Sequence, residues 1–271
     1  MYSDVFCKVY NEFGWNYYPE AFGEQLLKWL ELHGIRVRTA LDLACGTGVL
    51  CRSLKAAGIE SRGMDFSSGM IGIARSESPD IPYDVADMTV YRPDARFDLV
   101  TCTGDAVNHI PALSDVKKIF ANVYGYLEPG GYFIFDLLDE HEISTEEPFD
   151  LQFDEHISAR FRITRPDENR VHLQTEVFED GLHSFTEDIF ETVHDRDAIV
   201  SMLGQAGFEL ICCSHRLLET SPEVATWYII AKKQSSEHRI LLHPTIKYGI
   251  LNTDKGAPTG GCNNGGKHYE G

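Results

Sequence analysis

The sequence predicts an α/β fold: a doubly wound, mostly parallel sheet with an antiparallel sheet inserted late in the chain. Three observations carry this. Short apolar runs alternate with helical patterns between residues 19 and 138, the rhythm of strands joined by helical crossovers. Between Phe149 and Val193 apolar and polar residues alternate one by one, which marks half-buried antiparallel strands. Helix and strand signals then resume through Ala231.

Each element has a local reason. Pro19 suits the first turn of an opening helix whose Phe22, Leu26, Trp29 and Leu30 share one face, and Gly34 is placed to end it. Residues 39–43 read as a buried strand and residues 49–54 as the helix after it. Gly58 stops that helix, residues 59–64 form a second strand, and Ser67 or Ser68 can cap a helix carrying Met70, Ile71 and Ile73. Strands at 83–86 and 97–102 follow, then a helix from about residue 114 to 127, broken by Pro129-Gly130-Gly131 before a strand at 132–136.

In the insert, Leu151, Phe153, Ile157, Ala159, Phe161 and Ile163 keep one alternation and read as one strand. Turns at 165–169 and 179–181 separate it from a strand through Val171, Leu173, Thr175 and Val177 and from a run ending at Val193. Asp195 caps a helix, Gly207 stops it, and strands at 208–213 and 226–231 close the fold. The expected division is a core of residues 1–138 and 194–233, an inserted lid of 139–193 and a tail of 234–271. Seven of the last 23 residues are glycine, so the tail buries too little to offset its ordering entropy and is expected to be disordered.

Charge narrows the partners. The net charge is −18, and residues 232–271 hold six Lys or Arg against three Asp or Glu, so the rest is more negative still. Such a body repels a phosphate backbone, and no nucleic-acid partner is expected. The first eight residues lack a basic stretch followed by an apolar one, and the apolar run 132–138 is interrupted by Asp136, so a cytoplasmic protein without a membrane partner is expected. Seven cysteines, two of them adjacent and none at the spacing of zinc sites, read as reduced thiols.

The chemistry is written in Asp42-Leu43-Ala44-Cys45-Gly46-Thr47-Gly48, where a strand turns sharply into a helix and leaves backbone amides open. Gly46 and Gly48 permit close approach, and Ala44 is small enough to leave room. Asp65, past the second strand, stands where an acceptor for both hydroxyls of a ribose is needed. Cys51 occupies the position at which a dinucleotide site expects Gly or Ala, and no phosphate-binding lysine follows.

The pattern Asp42, Ala44, Gly46, Gly48 resembles the first motif of class I S-adenosylmethionine-dependent methyltransferases, with Ala44 where the family has its first glycine. The resemblance covers about residues 36–232 and implies a Rossmann-like core. With its inserted lid, the chain is similar to the small-molecule type, notably amino-sugar and glycine-type N-methyltransferases. It implies S-adenosyl-L-methionine as cofactor, with Asp42 and the backbone of Ala44, Cys45 and Gly46 at the methionine moiety and Asp65 at the ribose. It further implies Phe66 and Met70 at the adenine, Asp87 and Met88 at its amino edge, and Cys102-Thr103 in the fourth motif.

The resemblance also implies a small-molecule methyl acceptor, attacked at nitrogen or oxygen. His109, just past the fourth strand, is the candidate catalytic base, with loop orientation as its alternative role. Tyr18 is the second catalytic candidate and Tyr17 a cofactor-binding one, in an aromatic segment that either closes the site or simply packs under the first helix. Residues 139–192 contain sixteen Asp or Glu against four Arg and no Lys, which favours a cationic or amine acceptor or is a solvated lid surface. Asp105, Asn108 and Asp136 only loosely suggest a metal cluster, and no metal is expected. Two alternatives stand beside this reading: a non-catalytic cofactor-binding scaffold whose tail is a recognition element, and a methyltransferase acting on a peptide resembling that tail. Oligomeric state is not legible.

Overall fold

The computed structural model describes residues 2–139, 147–221 and 226–235; the expected tail lies outside them beyond residue 235. Two helices, α1 (Asp4–Val9) and α2 (Tyr17–Leu32), precede β1 (Thr39–Leu43), α3 (Val49–Ala56), β2 (Glu60–Asp65), α4 (Ser68–Glu77), β3 (Tyr83–Val85) and β4 (Phe97–Cys102). A 3-10 turn (Ala106–His109), α5 (Leu113–Tyr126) and β5 (Leu127–Leu138) follow. Next come β6 (Phe149–Gln152), β7 (Ile157–Asp167), β8 (Arg170–Glu179) and β9 (Leu182–Thr192), then α6 (Arg196–Ala206), β10 (Phe208–Ser214) and β11 (Thr226–Lys233).

Seven strands form one sheet in the order β10-β11-β5-β4-β1-β2-β3. β1 to β5 run parallel, and β11 enters antiparallel between β5 and β10. Alternation along each strand feeds two layers. Ala40, Leu99, Ile134 and Ile230 face α2 and α3, packing on Phe22, Leu26, Leu50 and Leu54. Leu41, Val100, Phe133, Phe135 and Ile229 face the other way, onto Val116, Phe120, Ile199 and Leu203 of α5 and α6.

The expected helix signals are realised. Ser67 accepts the Met70 amide at 3.3 Å, Asp195 accepts that of Ala198 at 2.7 Å, and Gly207 ends α6 at φ 99°. Three expectations need correction. The chain opens with α1 rather than α2; six residues are too few to register a helical period. Pro129-Gly130-Gly131 lies inside β5, where Gly130 takes φ 86° and a side chain on Gly131 would come within 2.9 Å of the Asp98 carbonyl. The strand read through Leu151 and Ile163 is two strands, because Asp154 turns the chain by accepting the amides of His156 and Ile157, both at 2.7 Å.

β6 to β9 form a separate antiparallel sheet. Its inner face, Ala159, Phe161, Val177 and Ile189, packs on Phe6 and Phe13 of the amino-terminal segment. That segment is fastened at both ends: Ser3 donates its amide (3.0 Å) and hydroxyl (2.5 Å) to Glu187 of β9, and the Thr47 hydroxyl donates to the Asn11 side chain at 2.9 Å. The lid sheet therefore rests on α1, and α1 rests on the turn after β1.

Candidate functional site

The parallel strands deliver their carboxyl ends to one edge, and the candidate site is assembled there. After β1, Ala44, Gly46 and Gly48 all take positive φ (55°, 53° and 79°). For Ala44 this left-handed backbone is strained, since its Cβ crowds the following carbonyl. A Cβ on Gly46 would meet nothing within 4 Å, whereas one on Gly48 would fall 2.9 Å from the Tyr83 ring. Gly46 is thus open toward the crevice, and Gly48 is closed by packing.

Asp65 closes the opposite side. Its carboxylate accepts the Gly46 amide at 3.0 Å and the Ser67 amide at 2.8 Å. Two amides leave lone pairs on both oxygens. Burial raises its pKa, and the amides of Ser67, Gly46 and Phe66 oppose that rise. Beside it, Phe66 is 55% exposed, while Met70 is fully buried.

The other predicted residues divide in the same way. Asp42 is buried, takes the Thr101 hydroxyl at 2.7 Å, and is pushed up to about 7 by desolvation. Cys45 and Cys102 are buried thiols, both raised well above the usual range: Cys45 by its hydrogen bond with Cys51 and by burial, Cys102 by burial. Met88 is buried in the core, and Asp87 turns the chain by accepting the Thr89 amide at 2.8 Å. Thr103 is half-buried and Tyr17 is 74% exposed. The side chains of Asp42, Cys45, Met70, Met88 and Cys102 therefore offer the crevice little or no open surface.

Tyr18 points inward, donating its hydroxyl to Asp136, and burial followed by that carboxylate raises its pKa well above the usual range. Asp136, fully buried, also accepts the amides of Gly104 and Asp105 at 2.8 and 2.9 Å. His109 places its Nε2 3.6 Å from Glu191 of β9. Burial lowers the His109 pKa, so the imidazole is neutral at pH 7.

Glu191, Tyr2 and Tyr10, which sequence reading passed over, complete the site together with Asn108, which it named only in connection with a metal. Glu191 is raised to about 7 by burial and then by Asp136. Asn108, fully buried, donates to the Thr192 carbonyl at 2.8 Å and accepts the Leu138 amide at 3.1 Å, tying the turn after β4 to both β9 and β5. Tyr2 and Tyr10 lie over the crevice: burial raises both hydroxyls, Tyr10 to about 12, and the negative charges of Asp65 and Asp105 add to both. One signal for Glu191 was legible, since it shares the inner face of β9 with Ile189 and Glu187, where acids are out of place.

Grooves of about 520 and 540 Å³ lie toward the amino-terminal ends of the strands, lined by residues such as Asp94 and Asn122 or Thr39 and Arg62. None of the predicted site residues lines either. We attach the chemistry to the covered crevice, because the converging polar groups are there. Among the described residues, no group of three or more His, Cys, Asp or Glu is arranged to hold a metal ion, no helix is long and apolar enough to cross a membrane, and six cysteines are free thiols.

Residues 40–131 match the family model described as Methyltransferase domain. The Bacillus subtilis protein YqeM, which carries a methyltransferase name, is 28% identical over 252 residues, covering 88% of this chain and 98% of its own. A ubiquinone biosynthesis O-methyltransferase of Paraburkholderia phytofirmans is 28% identical over 122 residues, and the chain spans about half (51%) of its length and 42% of itself in that match. An S-adenosylmethionine-dependent methyltransferase of Clostridium acetobutylicum superposes with a TM-score of 0.70 at 22% identity, covering 79% of this chain and 91% of that one. CalS10, an amino pentose methyltransferase of Micromonospora echinaspora solved with its cofactor, superposes with a TM-score of 0.68 at 18% identity, covering 86% and 98%.

The chain thus joins a match to the methyltransferase domain over residues 40–131 to a Rossmann-like sheet, a glycine turn facing Asp65 and an inserted antiparallel sheet.

Proposed function

We propose that the enzyme methylates a nitrogen or oxygen of a small molecule enclosed between the carboxyl ends of the parallel strands, α1 and the inserted sheet. One observation carries this reading. The Ser3–Glu187, Thr47–Asn11 and Asn108–Thr192 hydrogen bonds draw the three elements together around His109 and Asp65, which favours a small enclosed acceptor over a folded protein or a nucleic-acid strand. The amino pentose named for CalS10 is of the same size class.

The residues present fit the cofactor: Gly46 has open space beside its α-carbon, and Asp65 has lone pairs free for a diol. When bound, S-adenosylmethionine supplies a methyl group on a positively charged sulfur. In our reading the backbone of Ala44, Cys45 and Gly46 holds its methionine end, with Asp42 supporting the turn from below. Asp65 accepts from the ribose hydroxyls, Phe66 covers the adenine with Met70 behind it, and Asp87 and Met88 meet its amino edge. Cys102 and Thr103 contribute backbone to the wall. Tyr18 holds Asp136 in place, Tyr17 marks the entrance, and neutral His109 takes the acceptor's proton. Alignment and exclusion of water supply the catalysis.

The test is a partition of label. Incubation of the enzyme with methyl-labelled S-adenosylmethionine and a whole-cell extract should label the low-molecular-mass fraction. Label confined to extract proteins, or to the chain's own intact mass, would instead favour the peptide or tail-directed reading.

A further inference from the structure

The crevice gathers three acids, Asp105, Asp136 and Glu191, that no Lys or Arg pairs with among the described residues. Asp105 opens the 3-10 turn at φ 57°, its backbone amide donating to Asp136 and its carbonyl accepting the Asn108 amide, both at 2.9 Å. Its Oδ1 is buried and has no hydrogen-bond partner among the described residues. Glu191 approaches from β9 with a side chain only 16% exposed, and its carboxyl group lies 3.6 Å from the neutral His109 imidazole. An unpaired carboxylate in such a place is costly, and a cation entering the crevice removes that cost.

We propose that Asp105 and Glu191 form an acceptor subsite for a protonated amine, Asp105 Oδ1 receiving an ammonium N–H and Glu191 acting as a positioning residue through His109. This rests on the methyltransferase reading above and narrows its acceptor from nitrogen or oxygen to a basic amine. The geometry assigns the proton path. One ammonium N–H bond breaks, its electron pair stays on nitrogen as the nucleophilic lone pair, and the proton passes to His109. Glu191 then balances the imidazolium. Asn108 maintains the arrangement by binding the β9 backbone beside Glu191 and the end of β5. The groups facing Glu191 are His109 and Asp105 of the turn, Asp136 of β5 and Tyr2 of the amino-terminal segment. Glu191 and the two acids among them favour a positively charged guest over a neutral alcohol or a carboxylate.

The experiment fractionates a cell extract on a cation exchanger at pH 5 into retained bases and unretained compounds, and supplies each with labelled S-adenosylmethionine. Binding of S-adenosylhomocysteine is measured in parallel by calorimetry. Label should enter the retained fraction alone. Glu191→Gln should lower that labelling at least tenfold at pH 7 and recover most of it at pH 9.5, where the amine arrives already deprotonated. Asp105→Asn should raise KM for the retained acceptor at least tenfold with a smaller change in kcat. Both variants should keep the S-adenosylhomocysteine Kd within about threefold, which excludes misfolding as the cause. If S-adenosylhomocysteine binds but label enters the unretained fraction, enters neither, or survives in both variants, the amine subsite is overturned. Loss of S-adenosylhomocysteine binding by the unsubstituted protein would instead sink the cofactor site on which it rests.

Discussion

Glu191 carries a stability cost that can be read from its surroundings. Burial keeps its proton on in the folded protein up to about pH 7, whereas an unfolded glutamate releases it near 4.5. Between those values the folded state binds more protons than the unfolded one. The stability Glu191 confers is therefore complete below about pH 4.5, is lost as pH rises toward 7, and stays lost above it. Asp42, also raised to about 7, adds to the same slope from beneath the glycine turn. Denaturant unfolding at pH 5 and pH 8 should show the unliganded protein weakening on the way up. Glu191→Gln should recover about 1–3 kcal/mol at pH 8 and nothing at pH 4.5. Equal pH slopes in the two proteins would mean that Glu191 ionises freely in the fold.

Residues that act locally were legible, and residues that act across the fold were not. Asp65 could be placed because a strand end and the next helix fix it next to the glycine turn, and Ser67 and Asp195 because a cap needs only its own three following residues. The Asp105–Glu191 pair joins a turn after β4 to the last strand of the insert, and nothing in either segment reports the other. Cys45, Met70, Met88 and Cys102 fell on motif positions, but the sequence does not tell a backbone that faces the crevice from a side chain that fills the core behind it. His109 was legible from its place after β4, and its pairing with Glu191 was not.

At the scale of elements, α1 is the part most exposed to perturbation. It spans six residues, too few to be stable alone. Its Ser3 cap receives the Phe6 amide at 3.2 Å while also donating to Glu187. Phe6 supplies its buried anchor on the lid sheet. Glu187→Ala removes both bonds to Ser3 and should speed amide hydrogen exchange across residues 3–10 by about tenfold, leaving β1, β4 and β5 unchanged. Unchanged exchange in α1 would show that Phe6 packing alone holds the segment. The same element explains two failures of sequence reading. A six-residue helix carries no readable period, and the alternation of Leu151, Phe153 and Ile157 runs unbroken through the Asp154 turn because the turn sits between residues of matching pattern.

Across the whole molecule, two apolar layers hold a sheet whose strand ends, rather than its interior, carry the polar chemistry. The lid sheet is built on the amino-terminal segment rather than directly on that core, so cover and turn are coupled through α1. Sequence alone gave away the sheet and its insert because each has its own period, and left the coupling hidden because it runs through the first residues of the chain. What remains decisive is whether the turn and Asp65 together hold an adenosyl group. Calorimetric titration with S-adenosylhomocysteine should give one saturable site, and Asp65→Ala should weaken it by at least about 100-fold, the loss of two hydrogen bonds to a charged acceptor at about 1.5–3 kcal/mol each. No saturable binding, or an affinity that Asp65→Ala leaves untouched, would contradict the assignment of this crevice as the cofactor site.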